Sequence, residues 1–188
     1  MFLIVGLGNP GKKFENTWHN LGFLAIDELR LKIDDFSPWK NDIKAKAQTS
    51  EGNFAGQKVI LVKPQTFMNN SGQTVKLLVQ RSRLNSAMAE LTRQLIIIHD
   101  DADLPLGEIK VSKNQGSAGH KGVESIINYL KTKNFTRIRI GVRPENYVPG
   151  SKMLDKLMIK KIVKKDQDII AQIFEKTTES IKQLLCKN

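Results

Sequence analysis

An α/β fold, with a mixed twisted sheet flanked by helices, is what this sequence predicts. Short continuous apolar runs recur along the chain, as in strands buried on both faces. Stretches with helical spacing lie between them, and no internal repeat or low-complexity tract breaks the alternation. At 188 residues the chain has room for one compact domain with a sizeable core, taken as residues 1–188.

Residues 2–5 (FLIV) end at Gly6 and open the sheet. Leu21, Leu24, Ala25 and Leu29 share a helical face, so a helix is expected over 18–32, capped by Asn16 or Thr17. The weak alternation at 43–50 suggests an edge strand, and QKVILV at 57–62 a buried one before Pro64. A helix of about three turns follows around Val75 to Val79. The next strand, 95–98, stops at HDDAD. Gly107 to Lys113 reads as a strand and Gly122 to Leu130 as a helix. TRIRIGV at 136–142 alternates strictly, so it should be half exposed. An amphipathic helix over 164–185 closes the chain and covers the sheet.

Composition narrows the function classes. With 40% apolar and 26% charged residues the chain should fold. Its longest apolar runs fall far short of the roughly 20 residues that span a membrane. The start, MFLIVGLGNPG, has neither a basic opening nor a small-residue cleavage site, which points to a cytoplasmic protein. A lone Cys186 makes disulfide and thiol chemistry poor candidates. Thirty basic against nineteen acidic side chains leave a net charge of +11, which favours a polyanionic partner or merely aids solubility.

Gly6-Leu7-Gly8-Asn9-Pro10-Gly11 fits G-x-G-x-x-G after a strand. A dinucleotide site needs a helix opening at the third glycine and a second strand ending in an acid. Pro10-Gly11-Lys12-Lys13 reads instead as a turn, so a nicotinamide enzyme fails on context.

Four polar stretches follow apolar runs or turns, where α/β sheets place their binding crevices. They bring Asn9 and His19-Asn20; Asn69 and Asn70; His99, Asp100, Asp101 and Asp103; and His120-Lys121. His19 would serve as a general base near neutrality, with Asp100 orienting its ring, or it would simply cap a helix. The three carboxylates of HDDAD offer a metal site, yet strand alternation turns Asp100 and Asp101 to opposite faces. The absence of a G-x-S-x-G elbow favours direct attack by water. Asn9 and Asn69 carry amide donors and acceptors for a carbonyl, a sugar or that water. Arg137 and Arg139 share a strand face and, with Lys110, Lys113 and Lys121, would form a phosphate-binding surface.

The stretches GLGNPGKKFENTWHNLGF, KPQTFMNNSG, HDDADLPLG and GSAGHKG, in that order and spacing, resemble the signatures of bacterial peptidyl-tRNA hydrolases. The resemblance implies a phosphorylase/hydrolase-like α/β domain, usually a monomer, that cleaves the ester between a peptide and the terminal ribose of tRNA without a cofactor or metal. It implies that His19 is the base, Asp100 its orienting partner, and Asn9 and Asn69 the groups that hold water and substrate. Phe14, Phe67, Asn69, His120 and Lys121 would line the substrate cleft. Lys110, Lys113, Arg137 and Arg139 would meet the phosphates of the acceptor stem and 3′ end. Residues 145–188 would form a flap and closing helix. The chain departs from the family pattern at Trp18, where arginine is usual, at Phe14, where tyrosine is commoner, and at Lys121, where asparagine is commoner. Lys121 opens a rival reading, an RNA-binding protein on the same scaffold with lost hydrolysis.

Overall fold

In a computed structural model, which describes residues 1–82, 94–148 and 153–187, the first strand lies at the centre of a seven-stranded sheet. This strand, β1 (Phe2–Gly6), is buried at every position. It pairs in parallel with β4 (Gln57–Pro64) and β5 (Leu95–Pro105), and β5 pairs in parallel with β7 (Thr136–Arg143). Antiparallel strands flank this core: β2 (Lys40–Asp42) and β3 (Ala47–Phe54) beyond β4, and β6 (Ile109–Lys113) beyond β7. The strand order is β2-β3-β4-β1-β5-β7-β6, the mixed sheet that the sequence predicts.

Each apolar run feeds two cores because successive side chains alternate across a sheet. Ile4, Ile96 and Ile98 pack beneath α1 (Leu21–Lys32) and α5 (Gln167–Cys186). Leu3, Val5, Leu95 and Ile97 pack beneath α2 (Ser71–Arg81) and α3 (Lys121–Leu130). A short helix, α4 (Met153–Met158), precedes α5. The expected flap over 145–188 falls partly outside the described residues, at 149–152 and 188.

Two close approaches lock helices against their neighbours. A Cβ on Gly22 would lie 2.4 Å from the Ile98 carbonyl oxygen, so only glycine lets α1 sit this near β5. Likewise a Cβ on Gly72 would lie 2.2 Å from the Ser125 oxygen, where α2 crosses α3.

Several expectations need correction. The edge strand is β2; the residues expected at 43–50 form a turn and then β3, which lies inside the sheet. β5 does not stop at HDDAD but runs to Pro105, held by pairing with β7 through Asp101 and bulged beyond it. The helix expected at 18–32 opens with a 3₁₀ turn at Trp18–Asn20, and neither Asn16 nor Thr17 caps it by a side chain. β7 is not half exposed: it lies between β5 and β6, with Ile138 and Ile140 in the core and Arg137 buried on the other face.

Candidate active site

Asp100 is the hub of the site. It is buried in the middle of β5, and both its oxygens lie 2.9 Å from Nδ1 of His19, in the 3₁₀ turn before α1. Oδ1 also lies 3.2 Å from Nε2 of His120, the N-cap of α3. Nδ1 of His120 accepts the backbone N–H groups of Gly122 and Val123, so the neutral ring carries its proton on Nε2 and donates it to Asp100. Burial disfavours the Asp100 carboxylate, but the two histidines overcome it and hold its pKa well below the usual carboxylate range. An ionised Asp100 requires His19 to donate from Nδ1, which leaves Nε2 as the basic nitrogen. Burial opposes the charged form of His19, yet the Asp100 charge and hydrogen bond outweigh it and raise its pKa. Lys121 acts in the opposite sense.

His19, Asp100, His120 and Lys121 line one cavity of about 490 Å³. Leu154 and Met158 of α4 close its apolar side. Neither was legible in the sequence, where nothing signals the approach of α4 to His19. Asn20, placed beside His19 in the first polar stretch, laces the first loop: its Oδ1 accepts the Asn9 N–H at 2.8 Å and its Nδ2 donates to the Asn9 carbonyl at 3.0 Å. The Asn9 side-chain Oδ1 in turn accepts the Met68 N–H at 2.9 Å, so its amide nitrogen remains to donate. Asn9 lines a neighbouring polar cleft, and Asn69 is exposed in the 3₁₀ turn that Met68 opens. Phe14 and the exposed Phe67 meet edge to face with ring centroids 6.3 Å apart.

The basic face divides. Lys110 and Lys113 are exposed on β6. Arg137, expected at the surface, is only 2% exposed, and Arg139 donates to Asp101 at 2.6 Å. Strand alternation places both arginines on one face, but Asp101 of the adjacent β5 shares that face and binds Arg139. Arg137 therefore presents no surface charge here. Burial and the Arg139 charge lower its pKa. His99 also proves structural. Buried with Nδ1 2.6 Å from the Asp100 carbonyl, it has its pKa pushed by burial down to about 3.

The metal site weighed at HDDAD does not assemble, since Asp100 faces the histidines and Asp101 faces Arg139. One group among the described residues is compact enough for a cation: His19, Asp100 and His120, with ligand atoms within 4.8 Å of one another. Its hydrogen bonding is unfavourable to a metal, because Nδ1 of His19 and Nε2 of His120 carry the protons given to Asp100.

The dinucleotide fingerprint also lacks its structural context: Gly11 sits in a turn at φ 100° and α1 starts only at Leu21. Comparison with known proteins agrees with the remaining motifs. The family model for peptidyl-tRNA hydrolase matches residues 3–188. A peptidyl-tRNA hydrolase of Listeria welshimeri is 44% identical over 156 residues, 80% of each chain. That of Aquifex aeolicus is 38% identical over 180 residues, 95% of this chain and 87% of its own. The crystal structure of the Acinetobacter baumannii peptidyl-tRNA hydrolase superposes with a TM-score of 0.85 at 31% identity, covering 100% of this chain and 89% of the other. This chain belongs to the peptidyl-tRNA hydrolase family.

Proposed function

We propose that this chain hydrolyses the ester between a peptide, or a blocked amino acid, and the 3′-terminal ribose of tRNA, through water activated by His19. The observation that carries the reading is the 2.9 Å contact between His19 Nδ1 and a buried, ionised Asp100 at the wall of a cavity. Nε2 of His19 takes a proton from water as its oxygen attacks the ester carbonyl carbon. The tetrahedral intermediate then collapses, the carbon–ribose oxygen bond breaks, and the proton returns from His19 to the leaving ribose oxygen. The Asn9 amide nitrogen and the exposed Asn69 supply polar contacts for the carbonyl, water and ribose, with Phe14 and Phe67 beside the peptide. The Lys121 ammonium at the cavity wall supplies positive charge for the developing oxyanion.

Lys110 and Lys113 supply surface charge for tRNA phosphates. By the same reading the enzyme acts as a monomer in the cytoplasm; no described helix is long and apolar enough to cross a membrane.

The test follows release of the blocked amino acid from N-acetylaminoacyl-tRNA, with and without EDTA, for the natural chain and His19→Ala. Release that survives EDTA and falls about 10²–10⁴-fold in the variant supports the reading. Loss of release in EDTA would point to a metal-dependent hydrolase. Salt-sensitive tRNA binding without release would leave an RNA-binding protein.

A further inference from the structure

Beside the cavity lies a basic ridge to which none of the preceding steps gives a role. Two distant segments build it. The loop after β1 contributes Lys12 and Lys13, and the stretch between α4 and α5 contributes Lys160, Lys161, Lys164 and Lys165, all exposed. Backbone contacts clamp the segments together: the Trp18 N–H donates to the Lys160 carbonyl at 3.3 Å, and the Ile162 N–H donates to the Asn16 carbonyl at 2.7 Å. Thr17 and Lys161 form an isolated antiparallel bridge. The Lys161 ammonium donates to the carbonyls of Lys12 and Glu15, so it pins the loop with its charge unneutralised.

None of the six lysines pairs with a carboxylate among the described residues. The ion pairs found there involve other cations. The acids along the two segments are few: Glu15, Asp168, and Asp166, whose Oδ2 accepts the Val163 N–H. So dense a positive strip costs self-repulsion, which a polyanion relieves.

Its place decides which polyanion. Lys160 is bonded to the residue immediately before His19, and Met158, two residues earlier, lines the cavity. The ridge therefore adjoins the cavity that holds His19, in a different part of the chain from the exposed lysines of β6. We propose that this ridge grips the phosphates of the single-stranded 3′ end of the substrate RNA next to the scissile ester. The proposal rests on the hydrolase reading above and adds where the last nucleotides run.

The experiment uses two small esters, N-acetylaminoacyl-adenosine, which has no phosphate, and the same group on the trinucleotide CCA. kcat/KM is compared for the natural chain, K12Q/K13Q, K164Q/K165Q and a charge-matched control, K44Q/K58Q, whose two lysines are exposed elsewhere. The natural chain is expected to favour the trinucleotide ester. Each ridge variant should lose about fivefold of that preference, with the control retaining it. The slope of log kcat/KM against log salt should flatten by about 0.7 for each phosphate contact removed. Two results overturn the ridge: no trinucleotide preference in the natural chain, or a preference that both ridge variants keep. Failure of the natural chain to cleave either ester or full-length N-acetylaminoacyl-tRNA sinks the hydrolase reading itself, a distinct outcome.

Discussion

His120 holds Asp100 from the far side of His19: its Nε2 lies 3.2 Å from Oδ1, while its Nδ1 receives two backbone N–H groups at the start of α3. The helix terminus thus selects the tautomer of His120, which makes it a donor to the carboxylate that orients His19. His120→Ala should lower kcat about tenfold, since an orienting partner acts through geometry more than through charge. KM for N-acetylaminoacyl-adenosine should change less. A variant that raises KM with kcat intact would make His120 a substrate contact only.

The pH dependence follows from His19. In the proposed mechanism its neutral form is the base, and its pKa lies above the ordinary 6.5, so kcat/KM should rise with pH through a value above 6.5. Lys121→Gln removes a charge that lowers this pKa. The acid limb should then move to higher pH. A pH profile measured on N-acetylaminoacyl-adenosine checks this, and an unmoved limb would place the Lys121 charge too far from His19 to matter.

Gly22 sets the depth of α1. The Cβ of Gly22→Ala meets the backbone of Leu7 and Ile98 at 2.4–2.5 Å, so the helix must retreat and carry His19 with it. A loss of about 2 kcal/mol or more in urea unfolding is expected, together with lower activity in whatever folds.

Arg139→Gln strands the buried Asp101. At pH 7 this should cost about 3 kcal/mol. Burial works against the Asp101 charge, but Arg139 and the Asp103 N–H keep its pKa below the ordinary value. The stability this supplies is present above the unfolded pKa and disappears as pH falls through the folded one. The gap between the variant and the natural chain, followed by thermal melting, should therefore narrow below about pH 4.

The central sheet was legible because FLIV, QKVILV and LIII permit little but buried strands, and α1 because Leu21, Ala25 and Leu29 recur at its period. What covers a face was not legible. Alternation correctly put Arg137 and Arg139 on one side of β7, yet only the packing of β5 reveals that Asp101 meets one of them and that the other is buried. The residues expected around His19 do come together in part, since Asp100, His120 and Lys121 share its cavity while Asn69 lies on an exposed turn. Leu154 and Met158 carry no local mark of their place beside His19, because a contact across so long a span leaves no periodicity. Asn20 was named beside His19 but given no role, because its grip on Asn9 depends on how the loop folds back.

The clamp between Trp18 and Lys160 carries a consequence for biosynthesis. The cavity wall that Met158 supplies follows all seven strands of the sheet in chain order, and the strand partners of β1 begin only at Gln57 and Leu95. A ribosome that stalls midway through this message would hold a fragment without its complete pocket. The protein's own interrupted synthesis would thus yield a peptidyl-tRNA that the fragment cannot release from itself, and only a finished copy, acting from outside, would clear it.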